Sequence, residues 1–194
     1  MRRFRIALDL DGVVYKWGDT ARYLIRTYHG IDLGESTHWD YIKDAVPSHV
    51  WRWLWNEGVD NGLFRYGHLY RGAVEGVHAL SELGSVEIVT HRPRNAVNDT
   101  LRFLAYLELP LAGVHILTAS EPKSSVPADV YIDDSPLVAE ELSRSGKTLV
   151  LVDRPWNSSP NAPRAEYVRA YGWGQENPHA IIKTVEMLLQ KEES

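Results

Sequence analysis

The chain has 194 residues, of which 44% are hydrophobic, with a formal net charge of −5 and no cysteine. This length suits one sizeable core with a small insertion, and the lack of any Lys/Arg-rich block argues against a large nucleic-acid surface. Without cysteine there is no disulfide, thiolate metal ligand or cysteine nucleophile, which fits a cytoplasmic location. We expect no signal peptide and no membrane span, because Asp9 and Asp11 interrupt the first apolar run.

The first predicted element is a buried parallel strand that ends in two carboxylates. Residues 4–14 (FRIALDLDGVV) form an apolar run of strand length. Side chains alternate along a strand, so Asp9 and Asp11 begin on the same side, and Gly12 permits a sharp turn after them. Two carboxylates at a buried strand end need a cation or a shared proton, and Mg²⁺ is the usual partner of oxygen ligands. The alternative is a simple Asp/Gly turn that ends the strand.

A helical insertion is predicted after this strand, because no long apolar strand occurs between residues 15 and 71. Its first helix is expected over residues 19–28, with Asp19 or Thr20 as the cap. After an irregular polar stretch, a second helix is expected to begin near Pro47.

The rest of the chain alternates strands and helices. Apolar strand patterns occur at residues 86–90, 113–117, 129–132 and 147–152. Helical patterns occur at residues 72–83, 93–107, 135–145 and 178–191. Such alternation predicts an α/β, Rossmann-like fold with a five-stranded parallel sheet covered by helices on both faces. The expected division is a core of residues 1–14 and 72–194, with residues 15–71 as a small helical cap.

Polar side chains fall on one edge of the predicted sheet. Asp9 and Asp11 follow the first strand, Thr90 ends the second, and Asp133 and Asp134 end the fourth. Ligands of parallel sheets bind beyond the carboxyl ends of the strands. The sequence therefore predicts one shared site at this edge.

Four motifs, in this order, resemble those of the haloacid dehalogenase (HAD) superfamily of phosphotransferases. They are residues 9–13 (DLDGV), residues 88–90 (IVT), Lys123 and residues 131–136 (YIDDSP). The resemblance implies that Asp9 is a nucleophile that forms an aspartyl-phosphate. It also implies that Asp11 is the general acid for the leaving group and then the base for the hydrolytic water.

The same resemblance implies a Mg²⁺ cofactor and a phosphate-binding lysine. The Asp9 carboxylate, the Asp11 backbone carbonyl and one carboxylate of the Asp133–Asp134 pair would hold the metal. Mg²⁺ and the Lys123 ammonium would offset the charge of a phosphate monoester. The alternative for Lys123 is a solvated loop residue, which is common for lysine.

Within the superfamily, the chain is most similar to the 5′(3′)-deoxyribonucleotidases. The likeness rests on the spacing from Lys123 to the aspartate pair, on the position of the insertion, and on residues 152–157 (VDRPWN). In that family the second aspartate is the metal ligand, so the resemblance favours Asp134, with Asp133 in a supporting role. For Trp156, in the last segment, we expect packing only.

The residues after the second strand depart from that family, which usually has Thr-Ser there. This chain has Thr90, His91, Arg92 and Pro93, and Glu121 where relatives often carry arginine. The Thr90 hydroxyl is expected to hold phosphate oxygens, and Arg92, near a helix N-terminus, is a candidate for the missing cation. His91 is either a phosphate donor or a loop residue. The pattern is also similar to phosphatase domains that remove 3′-phosphates from polynucleotides.

Aromatic residues of the insertion are the candidates for substrate contact. By resemblance, Trp17, Trp39 and Tyr41 are placed to stack on a base. Trp51 and Trp55 share one helical face, which favours a role in the core of the cap over substrate contact.

The expected function is hydrolysis of a small phosphate monoester, with a nucleoside monophosphate as the first choice of substrate. Two alternatives remain: a polynucleotide 3′-phosphatase, and a catalytically silent nucleotide-binding protein on the same fold. We expect no membrane partner. The sequence leaves the oligomeric state open, a homodimer included.

Overall fold

The computed structural model describes residues 3–158, 167–174 and 177–192 of the chain. Its strands are β1 Arg5–Leu8, β2 Ser85–His91, β3 Leu111–Leu117, β4 Val130–Asp133, β5 Leu149–Val152 and β6 Val168–Ala170. They form one six-stranded sheet in the order β3-β2-β1-β4-β5-β6, and every neighbouring pair is parallel. The strand β1 is therefore central.

The described part of the chain has helices between and after these strands. They are α1 Trp17–His29, α2 Tyr41–Ala45, α3 Ser48–Trp55, α4 Glu57–Asp60, α5 Ala73–Leu83, α6 Val97–Leu107, α7 Pro136–Arg144 and α8 Ile181–Glu192. Short 3-10 turns cover Arg94–Ala96, Lys123–Ser125 and Pro155–Asn157. Among the described residues, no helix combines the length and the apolar character that crossing a membrane requires.

The predicted parallel α/β sheet is confirmed, but the predicted number of five strands is wrong. The additional strand, β6, is three residues long and pairs with β5 through Val150 and Val168. Its central residue, Arg169, is polar. So short a segment has no apolar run of its own, which is why the sequence did not reveal it.

The alternation of side chains along the strands divides the core between the two faces of the sheet. On β1, Ile6 and Leu8 belong to a cluster that includes residues of α5, α6 and α8. Ala7 belongs to a second cluster, which includes Val138 and Leu142 of α7. Helices therefore cover both faces, and β1 is buried on both sides, as its continuous apolar sequence predicts.

Helices α1 to α4 surround a separate buried cluster. It contains Ala21, Leu24, Ile25, Ile42, Val46, Val50, Leu54, Val59, Leu63, Phe64 and Ala96. The chain enters and leaves this region side by side, since Tyr15 forms an antiparallel bridge with Leu69 and the Lys16 amide donates to the His68 carbonyl. We retain a helical cap at residues 15–71 as a proposal.

Two local expectations inside this region are wrong. Helix α1 begins at Trp17, and its N-cap residue is Lys16, without a side-chain cap. Asp19 therefore lies in the first turn, where its carboxylate pairs with Arg22. The polar stretch that we expected to be irregular contains the short helix α2.

Candidate active site

The candidate site lies at the carboxyl ends of β1 and β4, which are adjacent in the sheet. In this strand order the connections change direction between these two strands, and that is where parallel sheets bind ligands. Asp9 directly follows β1, while Asp133 ends β4 and Asp134 follows it. The Asp9 amide donates to the Ile132 carbonyl at 3.0 Å, so the first and fourth motifs are joined through their backbones.

Gly12 allows these two motifs to approach closely. Its φ is 82°, in the left-handed region that favours glycine. A Cβ atom at this position would lie 2.0 Å from Asp134 Oδ2. The glycine of the first motif therefore serves both the sharp turn that the sequence predicts and the packing of the Asp134 carboxylate against the turn.

Three buried carboxylates and one buried lysine lie together at this edge. Asp9, Asp133 and Asp134 each offer an oxygen, and these oxygens all lie within 4.8 Å of one another. Lys123 Nζ lies 2.9 Å from Asp9 Oδ1 and donates to Asp133 Oδ2 at 2.6 Å. The four side chains belong to residues that are at most 6% exposed. When all of them are ionised, the single ammonium group leaves the cluster with a negative charge.

The pKa values of the cluster reflect this excess of carboxylates. Burial raises the pKa of Asp133 to about 6, and burial together with the neighbouring carboxylates raises the pKa of Asp134 well above its ordinary value. Burial acts to lower the pKa of Lys123, but the carboxylates of Asp133 and Asp9 outweigh it and hold that pKa above its ordinary value. A bound divalent cation would offset the remaining charge.

Hydrogen bonds distinguish the two aspartates after β4. Both oxygens of Asp133 accept hydrogen bonds, Oδ2 from Lys123 Nζ and Oδ1 from the Ser135 amide at 2.8 Å. Asp134 Oδ2 accepts from the Trp156 indole Nε1 at 2.7 Å, whereas no described residue donates to its Oδ1. The residues present thus fit a hard cation such as Mg²⁺, with Asp9 and Asp134 offering oxygens.

Trp156 and Asn157 hold Asp134 from the segment that follows β5. The Trp156 indole orients the carboxylate, and Asn157 Nδ2 donates to the backbone carbonyls of Asp134 and Val152 at 2.8 Å each. The sequence predicted only packing for Trp156. The contact joins segments 22 residues apart, so it depends on the neighbouring positions of β4 and β5 in the sheet.

Glu141 holds the turn that carries Lys123, and this role was not predicted from the sequence. This glutamate lies on α7, and its two carboxylate oxygens accept from the amides of Lys123 and Ser124 at 3.1 and 3.0 Å. The pair of hydrogen bonds fixes the 3-10 turn against α7. From that turn, the Lys123 side chain extends to Asp9 and Asp133.

Arg92 forms a two-pronged ion pair with Asp11. Its Nε and Nη2 donate to the two carboxylate oxygens at 2.9 and 2.7 Å. Its Nη1 donates to the Phe64 carbonyl at 3.3 Å and to Thr100 Oγ1 at 3.1 Å. These contacts engage all three guanidinium nitrogens of Arg92 with protein groups, and its predicted role as a phosphate ligand stays a prediction. Burial raises the pKa of Asp11, although Arg92 acts to lower it.

Thr90 and His91, which end β2, are held differently. The Thr90 hydroxyl is buried and has no hydrogen-bond partner among the described residues, which fits a ligand oxygen. His91 lines the cavity described below, and its Nε2 lies 2.8 Å from the Glu121 carbonyl, so Nε2 carries the proton. Glu121 itself accepts hydrogen bonds from the Thr118 amide and hydroxyl.

A cavity of about 290 Å³ lies above the carboxylates. Its aromatic lining comprises Trp17, Trp39, Trp51, Trp55, Phe64, Tyr70, His91 and Trp156. Trp17 stacks on Trp55, with ring centroids 5.6 Å apart. Trp51 and Trp55, which we predicted as core residues, both pack on the insertion cluster and line the cavity.

Tyr41 lies apart from the other predicted stacking residues. It is not among the residues that line the cavity, although the neighbouring Trp39 is. Its ring packs against the insertion cluster and meets the His38 ring edge-on. The structure thus brings Trp17 and Trp39 to the site and leaves Tyr41 outside it.

Comparison with known proteins finds nucleotidases. The family model described as "5′ nucleotidase, deoxy (Pyrimidine), cytosolic type C protein" matches residues 2–184. A nucleotidase of Clostridium acetobutylicum is 23% identical over 209 residues, which cover 100% of both chains. A protein of Oceanobacillus iheyensis with a nucleotidase name is 24% identical over 127 residues, or 62% of this chain. That match spans 65% of the Oceanobacillus protein, slightly less than two thirds of its length.

Solved structures share the fold. An HAD-family hydrolase from Deinococcus radiodurans has a TM-score of 0.59 and 16% identity, covering 98% of this chain and 96% of that one. CbbY from Rhodobacter sphaeroides has a TM-score of 0.57 and 11% identity, covering 93% and 98%. YfnB from Bacillus subtilis has a TM-score of 0.56 and 14% identity, covering 89% and 96%.

Proposed function

Because the chain belongs to the family described as 5′ nucleotidase, deoxy (Pyrimidine), cytosolic type C protein, we propose that it hydrolyses nucleoside monophosphates with Mg²⁺. The observation that carries the proposal is the buried cluster of Asp9, Asp134 and Lys123 beneath an aromatic cavity. Among proteins of the same fold, YfnB is described as bound to magnesium, and CbbY as bound to phosphate.

In the first proposed step, the phosphoryl group is transferred to Asp9. An oxygen of the Asp9 carboxylate attacks phosphorus, and the bond from phosphorus to the leaving oxygen breaks with its electron pair going to that oxygen. Asp11 gives the leaving oxygen a proton, so a neutral alcohol departs. Burial raises the pKa of Asp11, which is the direction that suits a proton donor, while Arg92 acts to lower it.

The second step returns Asp9 to its starting state. The Asp11 carboxylate takes a proton from water, the water oxygen attacks phosphorus, and the bond between phosphorus and Asp9 breaks with its electrons returning to Asp9. Lys123 offsets the charge of the phosphoryl group, and Thr90 offers its unpaired hydroxyl to a phosphoryl oxygen. Asp9 and Asp134 would hold Mg²⁺, whose bound charge polarises the phosphoryl oxygens.

The choice of substrate separates this proposal from a polynucleotide 3′-phosphatase. We expect kcat/KM for a deoxynucleoside monophosphate to exceed that for a 3′-phosphorylated oligonucleotide, because the cavity of about 290 Å³ suits one base and sugar. We also expect the rate with the nucleotide to depend only mildly on salt. A protein that bound an oligonucleotide through many phosphate contacts would instead lose affinity for it on the order of a thousandfold between low and moderate salt. The measurement is kcat/KM for both substrates at two salt concentrations.

The Asp9→Asn variant, purified in parallel, is the blank for contaminating phosphatases in this comparison. A faster reaction with the oligonucleotide and a steep salt slope would favour the polynucleotide phosphatase. No turnover of either substrate by the wild-type protein with Mg²⁺ would favour the catalytically silent alternative.

The aromatic cavity gives a second prediction, on base binding. Trp39 is 43% exposed and lines the cavity, so Trp39→Ala is expected to raise KM for a nucleoside monophosphate about tenfold, the loss of one stacking contact, with kcat little changed. The matched control is Tyr41→Ala, which removes a nearby aromatic ring outside the lining. KM for ribose 5-phosphate, which has no base, should not respond to Trp39→Ala. Equal effects of the two variants would count against stacking at Trp39.

A further inference from the structure

Arg92 joins three parts of the molecule at the end of β2. Its guanidinium group binds both oxygens of Asp11 from the first motif. It also binds the backbone carbonyl of Phe64 from the insertion and the hydroxyl of Thr100 from α6. The guanidinium carbon lies 4.8 Å from the centroid of the Phe64 ring and 5.3 Å from that of Tyr15. The Arg92 side chain is 0% exposed, so these protein groups hold its guanidinium group in place.

The form of the Arg92–Asp11 contact restricts the orientation of the carboxyl group. Two parallel N–H···O bonds fix the plane of the carboxylate as well as its position, which a single ammonium contact does not do. The Arg92 side chain is 0% exposed, whereas that of Asp11 is 20% exposed. Asp11 thus faces the cavity while Arg92 supports it from behind.

Phe64 connects this support to the insertion. Its ring lines the cavity and belongs to the buried cluster of α1 to α4, and its carbonyl accepts from Arg92. A displacement of the insertion would move an acceptor of the same guanidinium group that holds Asp11. The orientation of Asp11 and the position of the insertion are consequently linked through one side chain.

We propose that Arg92 is a positioning residue that aims the carboxyl group of Asp11 at the leaving oxygen and ties its orientation to the segment around Phe64. The inference rests on the proposed function, because it assigns Arg92 a part in the proton transfer by Asp11. Arg92 does not touch the substrate phosphate in this account. The loss of Arg92 should therefore lower kcat most for esters whose leaving oxygen needs a proton.

The test compares two esters and a double-mutant cycle. An alkyl phosphate such as a nucleoside 5′-monophosphate needs a proton on its leaving oxygen, whereas p-nitrophenyl phosphate does not. Arg92→Gln should lower kcat for the nucleotide about 100-fold, the usual size of a general-acid contribution, and lower kcat for p-nitrophenyl phosphate far less. In an Asp11→Asn background, Arg92→Gln should cause almost no further loss for either ester, because the group it positions is already disabled.

A direct phosphate contact predicts the opposite pattern and would overturn the proposal. Arg92→Gln would then raise KM and lower kcat for both esters by equal factors, and these losses would persist in the Asp11→Asn background. Wild-type protein that turns over neither ester would refute the proposed function itself, a result that is distinct from equal losses in an active enzyme.

Two further variants guard against a simple loss of folding. Arg92→Gln leaves Asp11 without its partner and could destabilise the fold. We therefore measure Arg92→Lys beside it, since lysine keeps the charge but loses the two-pronged contact. Thermal unfolding is recorded for each variant. The double variant with Asp11→Asn and Arg92→Gln removes both charges, so it should fold even where Arg92→Gln does not.

The matched control is Arg65→Gln, since Arg65 pairs with Asp99 at 2.9 Å between the insertion and α6. Arg65→Gln should leave the ratio of kcat for the nucleotide to kcat for p-nitrophenyl phosphate unchanged. A changed ratio would contradict the proposal, because it would show that loss of an ion pair elsewhere has the same effect as loss of Arg92.

Discussion

Asp9→Asn is expected to lower kcat at least about 1,000-fold, because an amide cannot form the covalent bond to phosphorus that the carboxylate forms. Asparagine has almost the same shape, and the change removes one of three crowded carboxylates while Lys123 keeps its contact with Asp133. The protein should therefore remain folded, with an unfolding temperature equal to or above that of the wild type. Steady-state kinetics with a nucleoside monophosphate and a thermal unfolding curve measure both expectations.

The control for this variant is Asp19→Asn, which changes a half-exposed carboxylate on α1. It should leave kcat unchanged. Activity close to that of the wild type in correctly folded Asp9→Asn protein would end the aspartyl-phosphate proposal, whatever the substrate. Trapping of a phosphorylated wild-type protein in an acid quench, with none in Asp9→Asn, would support the proposal independently of turnover rates.

Local sequence was enough to predict the parallel sheet and the order of its motifs. The apolar run of β1, the glycine after Asp11 and the paired aspartates after β4 each carry their information within a few residues. The family match confirms the predicted nucleotidase relationship, and the solved structures share the predicted fold. Gly12 also has the close contact with Asp134 that favours glycine there.

The contacts that orient the catalytic candidates could not be predicted in this way. Arg92 meets Asp11 across 81 positions of sequence, and Trp156 meets Asp134 across 22. Such pairs depend on which strands become neighbours and on the rotamers that packing allows. Glu141 has no local mark at all, because one carboxylate on a helix looks like any other until the turn of Lys123 lies against it. The same limit applies to Trp39 and Tyr41, which are two residues apart in the sequence. Their surroundings differ only once the chain is folded, because Trp39 lines the cavity whereas Tyr41 packs on the insertion cluster.

The last prediction separates the roles of the two aspartates after β4. Asp134→Ala should weaken Mg²⁺ binding about 100-fold or more, since the Oδ1 atom without a protein donor would be lost. Asp133→Ala should weaken Mg²⁺ binding less, but it should destabilise the protein by about 3 kcal/mol, because buried Lys123 would lose its 2.6 Å partner and keep only Asp9. Calorimetric titration of each variant with Mg²⁺, after treatment with EDTA, measures the first effect without reference to turnover.

Thermal unfolding in EDTA measures the second effect and gives the contrast its force. Without metal, Asp134→Ala relieves repulsion among carboxylates whose pKa values are already raised, so this variant should unfold at or above the wild-type temperature. Mg²⁺ should then stabilise the wild type and Asp133→Ala, and stabilise Asp134→Ala hardly at all. If Asp133→Ala loses Mg²⁺ binding while Asp134→Ala loses stability, then the roles proposed for the two aspartates are reversed. Asp133 would be the metal ligand, because Lys123 can move away from its carboxylate when a divalent cation binds.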